Sequence, residues 1–168
     1  DITAGWTFNG NYTVNNNPKG ISFSPSGKKM YILNASTNFV YQYTLSVAYD
    51  ITTTVSADGG FSIAGEEIQP EGLAISADGL SIFIVGMTSD AVHQYTATNS
   101  FDFSSGVSYS GISFSVANQD PYPKDVFFNP DGTRFFTIGT QSPEVNQYTL
   151  SSDYLKESTA NNGAVEGF

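Results

Sequence analysis

A block of ten residues that occurs three times constrains the fold of this chain more than any other feature. The block begins at positions 18, 70 and 123 and runs as PKGISFSPSG, PEGLAISADG and PKDVFFNPDG. A second block begins at positions 40, 92 and 145, with the same offsets of 52 and then 53 residues, and runs as VYQYT, VHQYT and VNQYT. Two independent blocks with one period identify an internal repeat of about 53 residues, a length typical of repeat architectures.

The apolar residues within each unit predict short strands. Ile21 and Phe23 illustrate an alternation with a period of two that then stops at a turn, and the same pattern recurs in the other two units. In each turn a glycine is expected to supply the positive φ that closes a hairpin. These glycines are Gly27, Gly79 and Gly132.

Three more strands follow in each unit. The second strand, at 30–33, 82–85 and 135–138, is apolar on both faces, so we expect it to lie between two packed layers. The third strand carries the Val-x-Gln-Tyr motif. The fourth is predicted at 61–64 and 114–117, with residues 8–14 as a looser counterpart.

Four antiparallel strands in a unit of about 50 residues predict an all-β fold, a β-propeller with three four-stranded blades. We place repeat 1 at about 1–45, repeat 2 at about 46–98 and repeat 3 at about 99–150 of a single propeller segment, 1–168. Residues 151–168 are the start of a next repeat or a closing tail.

The strand-turn-strand cassette resembles the hairpin of the YVTN and TolB-like propeller superfamily. The whole unit, from FSPSGKKMYI to YQYTLSVAYD, is most similar to a propeller repeat common in marine phage structural proteins and marine bacterial surface proteins. The resemblance covers nearly the entire chain. It implies the fold and not the function, because propellers include lectins, scaffolds and enzymes.

Three blades cannot close a ring, since propellers typically have about 4 to 8. An open arc would expose two apolar blade faces, so we expect self-association or flanking blades as partners. Blades that turn by about 60° each would span half a circle, and two copies would then form a ring of six blades. The other possibilities are a trimer of nine blades or a fragment of a longer array.

Charge and composition limit the other partners. The chain has 6 basic and 16 acidic residues, a net charge of −10, which disfavours binding to nucleic acid or anionic membrane. It has no apolar run long enough for membrane insertion and no cysteine. A low charged fraction of 13% with 10 Tyr and 13 Phe is typical of extracellular β-structure, and it favours an extracellular, cell-surface or virion location.

Catalysis is not expected, so we interpret the chain as a non-enzyme. His93 is the only histidine, and the repeat places Tyr41 and Asn146 at the equivalent positions. A catalytic base requires an orienting partner and a nucleophile, and the sequence offers no such pair. His93 is therefore predicted to fill a surface or edge position.

Loop residues that differ between blades are the candidate ligand-binding positions, since loops commonly carry function on a rigid scaffold. The interblade and strand-two-to-three loops are expected to open on one face, where carboxylates could bind Ca²⁺. No other cofactor is expected, and no metal-ligand spacing is recognisable. The candidate residues are Asn38, Asp90, Glu144, Glu71 and Asp125.

A Gln-Tyr pair recurs in every third strand and has two interpretations. The pairs could contact sugars, or the glutamine could satisfy interblade backbone groups while the tyrosine packs within the blade. Recurrence in every blade favours the structural role. The pairs are Gln42 and Tyr43, Gln94 and Tyr95, and Gln147 and Tyr148.

Two functions therefore remain open. The first is a non-enzymatic structural or adhesion module of a virion or an extracellular surface assembly. The alternative is a sugar-binding propeller lectin, assembled from short chains, whose partner would be a cell-surface glycan. Ten tyrosines support the lectin, whereas the lack of a tryptophan in each repeat does not.

Overall fold

The computed structural model describes residues 5, 7–141 and 143–151, which form β-strands joined by turns and loops. The strands are β1 (Pro18–Phe23), β2 (Lys29–Asn34), β3 (Phe39–Val47), β4 (Asp50–Ser62), β5 (Pro70–Ile75), β6 (Ser81–Gly86), β7 (Ala91–Asn99), β8 (Asp102–Ser115), β9 (Pro123–Phe128), β10 (Arg134–Gly139) and β11 (Val145–Thr149). No helix capable of spanning a bilayer occurs among these residues.

Within the described part of the chain, consecutive strands pair antiparallel into three sheets. Blade 1 is β1–β4, blade 2 is β5–β8 and blade 3 is β9–β11. The predicted all-β class and the three blades are thus confirmed. Whatever follows in blade 3, including the predicted next repeat or closing tail, falls almost wholly within 152–168, outside the described residues.

The turn between the first two strands of each blade depends on its glycine. Gly27, Gly79 and Gly132 have φ of 69°, 70° and 70°, in the left-handed region that other residues rarely adopt. A Cβ atom on Gly27 would lie 2.2 Å from the ring of Tyr49, and one on Gly79 would lie 2.4 Å from the ring of Phe101. The aromatic side chain of the β3–β4 or β7–β8 hairpin therefore packs directly on the glycine.

The fourth strands are longer than their apolar residues suggested. β4 and β8 have 13 and 14 residues and begin far upstream of the predicted 61–64 and 114–117. Their first halves are rich in Thr, Ser and Gly, which separate the few inward-facing apolar residues, such as Ile51, Val55 and Phe103, so the apolar alternation is incomplete. Residues 8–14, the predicted looser counterpart, form no strand.

The repeat and the blade are out of phase by one strand. Blade 1 runs from β1 to β4, which is residues 18–62, whereas the sequence repeats were drawn at about 1–45, 46–98 and 99–150. β4 opens repeat 2 in the sequence but pairs with β3 of blade 1, from Phe39↔Ser62 to Val47↔Asp50. A sequence period has no preferred starting point, whereas strand pairing defines where a blade begins.

The core lies between neighbouring blades. The second strand of blade 2 contributes to both junctions, as its two apolar faces predicted: Ile82 and Ile84 pack toward blade 1, and Phe83 and Val85 toward blade 3. The junction of blades 1 and 2 also buries Tyr31, Leu33, Val40, Phe61, Ile63, Leu73, Tyr95 and Phe103. The junction of blades 2 and 3 also buries Val92, Val116, Val126, Phe128 and Phe135.

The two outward faces of the arc remain partly exposed. Ile21 on blade 1 is 61% exposed, although its equivalents Leu73 and Val126 are buried at the internal junctions. On blade 3, Phe127 and Val145 are 62% and 68% exposed. We call these surfaces the blade 1 open face and the blade 3 open face.

Candidate functional site at the blade junctions

The innermost strands β1, β5 and β9 together line a groove of about 500 Å³. Glu71 lies on β5 at this groove, and its carboxylate forms ion pairs with Lys19 at 3.1 Å and Lys124 at 3.2 Å. The three residues occupy the same repeat position, so charge alternates around the groove. Exposed ion pairs add about 0–1 kcal/mol each, and their main effect is to align neighbouring blades.

The sequence analysis had placed Glu71 and Asp125 in loops, whereas the structure places both on innermost strands. Asp125 lies on β9, and its Oδ1 accepts a hydrogen bond from the amide of Val126 at 2.9 Å. Glu144 is exposed in the loop before β11. Among the described residues no group of three or more His, Asp or Glu side chains is placed to hold a metal ion.

Two kinds of loop do meet at one end of the blades, as expected. The connection between blades 1 and 2, residues 63–69, reaches the β6–β7 loop through Glu67. This fully buried carboxylate accepts hydrogen bonds from the amides of Gln69 (2.8 Å), Thr88 (3.1 Å) and Ser89 (3.2 Å), and from the Ser89 hydroxyl (2.7 Å). Burial alone would raise the pKa of Glu67, but these hydrogen bonds outweigh it and hold the pKa below its ordinary value.

Asn38 supports the same connection from blade 1. It has a positive φ of 50°, and its carbonyl oxygen accepts a hydrogen bond from the amide of Ile63 at 2.9 Å. With its amide group assigned so that both ends are satisfied, its nitrogen donates to the carbonyl oxygens of Ala35 (3.2 Å) and Ile68 (3.1 Å). All of these contacts lie within the protein, which indicates a structural role for Asn38.

His93 is buried, in contrast to the predicted surface or edge position. Its Nε2 lies 2.8 Å from the Ser89 hydroxyl, which donates its single hydrogen to Glu67. His93 must therefore donate through Nε2, and its Nδ1 is buried without a hydrogen bond to any described residue. Burial lowers the pKa of His93 below its ordinary value, although the charges of Glu67 and Glu66 oppose that shift.

This arrangement differs from that of an activated nucleophile. In a catalytic Ser-His-acid set the histidine accepts the serine proton and the carboxylate holds the histidine. Here the carboxylate holds the serine, and the histidine donates to it. Glu67, Ser89 and His93 form a buried network that joins the connection between blades 1 and 2 to the β6–β7 loop.

Gln42 joins blade 1 to blade 2. Its side chain is fully buried, and its Oε1 accepts a hydrogen bond from the amide of Phe103 at 2.5 Å. Its Nε2 donates to Asp58 of its own blade and to Asp102 of blade 2, both at 3.2 Å. Tyr43 is also buried, on the other side of the same strand.

Three site residues were missed by sequence reasoning or given another role there. Lys19 and Lys124 carry no unusual local pattern, and only their repeat equivalence to Glu71 could have indicated an alternating ring. Glu67 is one of the interblade-loop carboxylates for which the sequence left open Ca²⁺ binding or simple solvation. Glu67 and Asp120 occupy equivalent positions, and each lies against a glycine, Gly86 in one unit and Gly139 in the next. This repeated pairing of an acidic residue with a glycine was the available indication that Glu67 is buried.

Three blades arranged around one groove define this chain as a section of a β-propeller. No protein-family model matches the chain, and no curated protein matches its sequence. The β-propeller domain of Cps50 (Swd1) from Myceliophteria thermophila is similar in structure, with a TM-score of 0.56, 10% identity, and coverage of 80% of this chain and 38% of that one.

Two further solved structures are similar. A functionally unknown protein from Desulfotomaculum acetoxidans has a TM-score of 0.55 and 14% identity over 82% of this chain and 39% of that one. A putative 6-phosphogluconolactonase from Bacteroides uniformis has a TM-score of 0.51 and 15% identity over 79% and 38%. The chain thus spans about two fifths of each structure, and at these identities the similarity shows the fold alone.

Proposed function

We propose that this chain is one section of a larger β-propeller whose role is binding or assembly, as a structural or adhesion module, and not catalysis. The observation that carries the proposal is the pair of open faces at the two ends of the arc. At the internal junctions the equivalent positions are covered by the next blade, and sizeable exposed apolar patches on soluble proteins mark interaction surfaces. The partners of these faces are therefore further blades.

The open faces have the shape and chemistry that this proposal needs. The blade 1 open face contains a depression of about 290 Å³ beside the exposed Ile21, whereas Met30 and Ile32 in the same lining are already buried against Tyr12 and Val14 of the segment before β1. The blade 3 open face contains one of about 170 Å³, whose lining includes Phe127 and Val145. Both are apolar on β-sheet surfaces, as at the internal junctions.

The charges at the groove lined by β1, β5 and β9, the axial groove, distinguish two possible sources of further blades, a second copy of the chain and a flanking blade. A second copy in a six-blade ring would place its Lys19 beside Lys124 of the first, a contact between like charges. A flanking blade with an acidic residue at this position would continue the alternation around Glu71. Because salt screens like-charge repulsion, a ring of two copies should become more stable at higher ionic strength.

The non-enzymatic part of the proposal is supported by the direction of the hydrogen bonds around His93. The proposed virion or extracellular-surface location is supported by composition. The finer assignment to YVTN and TolB-like repeats, closest to those of marine phage and bacterial surface proteins, is supported by the repeated hairpin cassette.

Light scattering at micromolar concentration tests the assembly proposal. We expect a particle larger than the 18.0 kDa chain, and a stronger association at higher salt if two copies close the ring. A well-folded, monodisperse species near 18 kDa would contradict the proposal.

A glycan array tests the lectin alternative. Gln42, Tyr43 and Tyr95 are buried, so in blades 1 and 2 these members of the recurrent pairs do not present a sugar-binding surface. We expect no saturable glycan binding. Binding with a stoichiometry related to the number of blades would favour the lectin instead.

A further inference from the structure

The two complete connections between blades share one hydrogen-bond pattern but differ in two side chains. In the connection between blades 2 and 3, Val116 donates to the carbonyl oxygen of Asp90 at 2.8 Å and accepts from the amide of Asp120 at 2.7 Å. Asp90 therefore occupies the position of Asn38, with a φ of 48°, and Asp120 the position of Glu67. The main chains of Asp90 and Asp120 are thus both hydrogen-bonded to the same buried residue, Val116.

The two connections differ in how their polar groups are satisfied. Between blades 1 and 2, the Asn38 amide donates to two carbonyl oxygens and the Glu67 carboxylate accepts four hydrogen bonds. Between blades 2 and 3, Oδ1 of Asp90 is buried without a hydrogen bond to any described residue, and the buried carboxylate of Asp120 is stabilised only by the backbone amide of Tyr122. An ionised Asp90 cannot donate the hydrogen bonds that the amide group of Asn38 donates at the equivalent position, because a carboxylate carries no proton.

The surroundings of Asp120 add further oxygen atoms. Its carboxylate lies directly over Gly139, where any Cβ atom would overlap it. The hydroxyl groups of Thr137 and Tyr148 on blade 3 are also buried, and they interact with each other near the Asp120 carboxylate. Burial and the charge of Asp90 raise the pKa of Asp120 although the Tyr122 backbone amide lowers it, so the anionic form is only partly compensated for its burial.

We propose that Asp90 and Asp120 bind Ca²⁺ at the junction of blades 2 and 3. Carboxylate oxygens are the hard ligands that Ca²⁺ prefers, and backbone carbonyl oxygens and water commonly complete its shell of about 6–8 ligands. With only two carboxylates, the site fits the weak class of extracellular modules, with a Kd of about 0.1–1 mM. The ion would fix blade 3 against blade 2 where the first junction uses hydrogen bonds alone.

A shared proton is the competing explanation, and Asp90→Asn distinguishes the two. This substitution installs the residue that the repeat itself uses at the equivalent position, so the variant is expected to fold. Asp120→Asn removes the second ligand. Asp131→Asn, on the β9–β10 turn at the opposite end of β10 from Gly139, removes one negative charge away from the site and is the matched control.

The experiment is a titration of the full 168-residue chain with CaCl₂ at pH 7, followed by calorimetry and by thermal unfolding. For the wild type and Asp131→Asn we expect saturable binding and a rise in Tm of about 2–9 °C at 5 mM Ca²⁺, with a smaller rise in MgCl₂. Asp90→Asn and Asp120→Asn should bind at least tenfold more weakly. No binding by the wild type at 5 mM, or binding by Asp90→Asn equal to that of the wild type, would overturn the proposal.

Discussion

Replacing Gln42 with alanine is expected to destabilise the junction of blades 1 and 2 by about 2–4 kcal/mol. The side-chain oxygen of Gln42 is the acceptor for the amide of Phe103, a residue with no exposed surface. A buried amide left without its partner costs about 1–3 kcal/mol, and the cavity left by the truncated side chain adds about 1 kcal/mol. Asp58 and Asp102 each lose one donor but keep others, from Lys29 and Ser104 respectively, so their contribution is small.

The repeat supplies a matched control. Gln147 occupies the same position in blade 3 but is exposed, so Gln147→Ala should change the free energy of unfolding by less than about 0.5 kcal/mol. Urea unfolding followed by circular dichroism, at one fixed protein concentration for all variants, measures both values. Equal costs for the two substitutions, or a cost below 0.5 kcal/mol for Gln42→Ala, would refute the assigned role of Gln42.

The Gln42→Glu variant distinguishes the effect of losing the hydrogen-bond acceptor for Phe103 from the effect of adding a negative charge. Glutamate keeps an oxygen for the Phe103 amide but places a third carboxylate beside Asp58 and Asp102. Its cost should therefore be largest at pH 7 and should decrease toward pH 4, as the new carboxyl group becomes protonated. A cost that does not depend on pH would contradict the proximity of the three groups.

Three further outcomes follow from the described contacts. Gly27→Ala should lose at least about 1 kcal/mol of stability by urea unfolding, because its φ is 69° and the new methyl group would overlap Tyr49, whereas Gly65→Ala, with open space around it, should be nearly neutral. The hydrogen bonds of Glu67 lower its folded-state pKa below 4.5, so they stabilise the protein fully above pH 4.5 and this stability is lost as the pH falls through the folded pKa. The loss of unfolding free energy on Glu67→Gln should therefore be large at pH 7 and smaller in acid. A difference between wild type and variant that grows in acid would contradict this role of Glu67. Phe127→Ser should weaken self-association in light scattering while leaving the circular dichroism spectrum unchanged, because Phe127 is 62% exposed on the blade 3 open face; unchanged particle size would exclude that face as the contact.

The fold could be predicted because its information is local and repeated. Alternation of apolar residues defines strands such as β1, and a turn glycine such as Gly27 defines where each hairpin closes. The first halves of β4 and β8 were not predicted, because Thr, Ser and Gly separate inward-facing residues such as Ile51, Val55 and Phe103 and leave an incomplete apolar pattern. They are strands because β3 and β7 supply their hydrogen-bond partners.

The candidate site was predicted only in part. Asn38 and Asp90 were identified as loop residues that differ between equivalent positions, and the structure places both at blade connections. Glu71 was expected in a loop and instead pairs with two lysines at the axial groove. The pairing could not be read from its neighbours in the chain, because its partners lie one full repeat away on either side.

The sequence by itself determined how many blades the chain carries, which residues occupy equivalent positions and where the first hairpin of each blade turns. Only the tertiary structure decided what each equivalent position contacts. Gln42 is fully buried and Gln147 is exposed, although the repeat gives them the same strand and the same motif. The physical reason is that strand and turn geometry depend on residues a few positions apart, whereas the burial of a blade face depends on whether another blade, about 50 residues away or on another chain, packs against it.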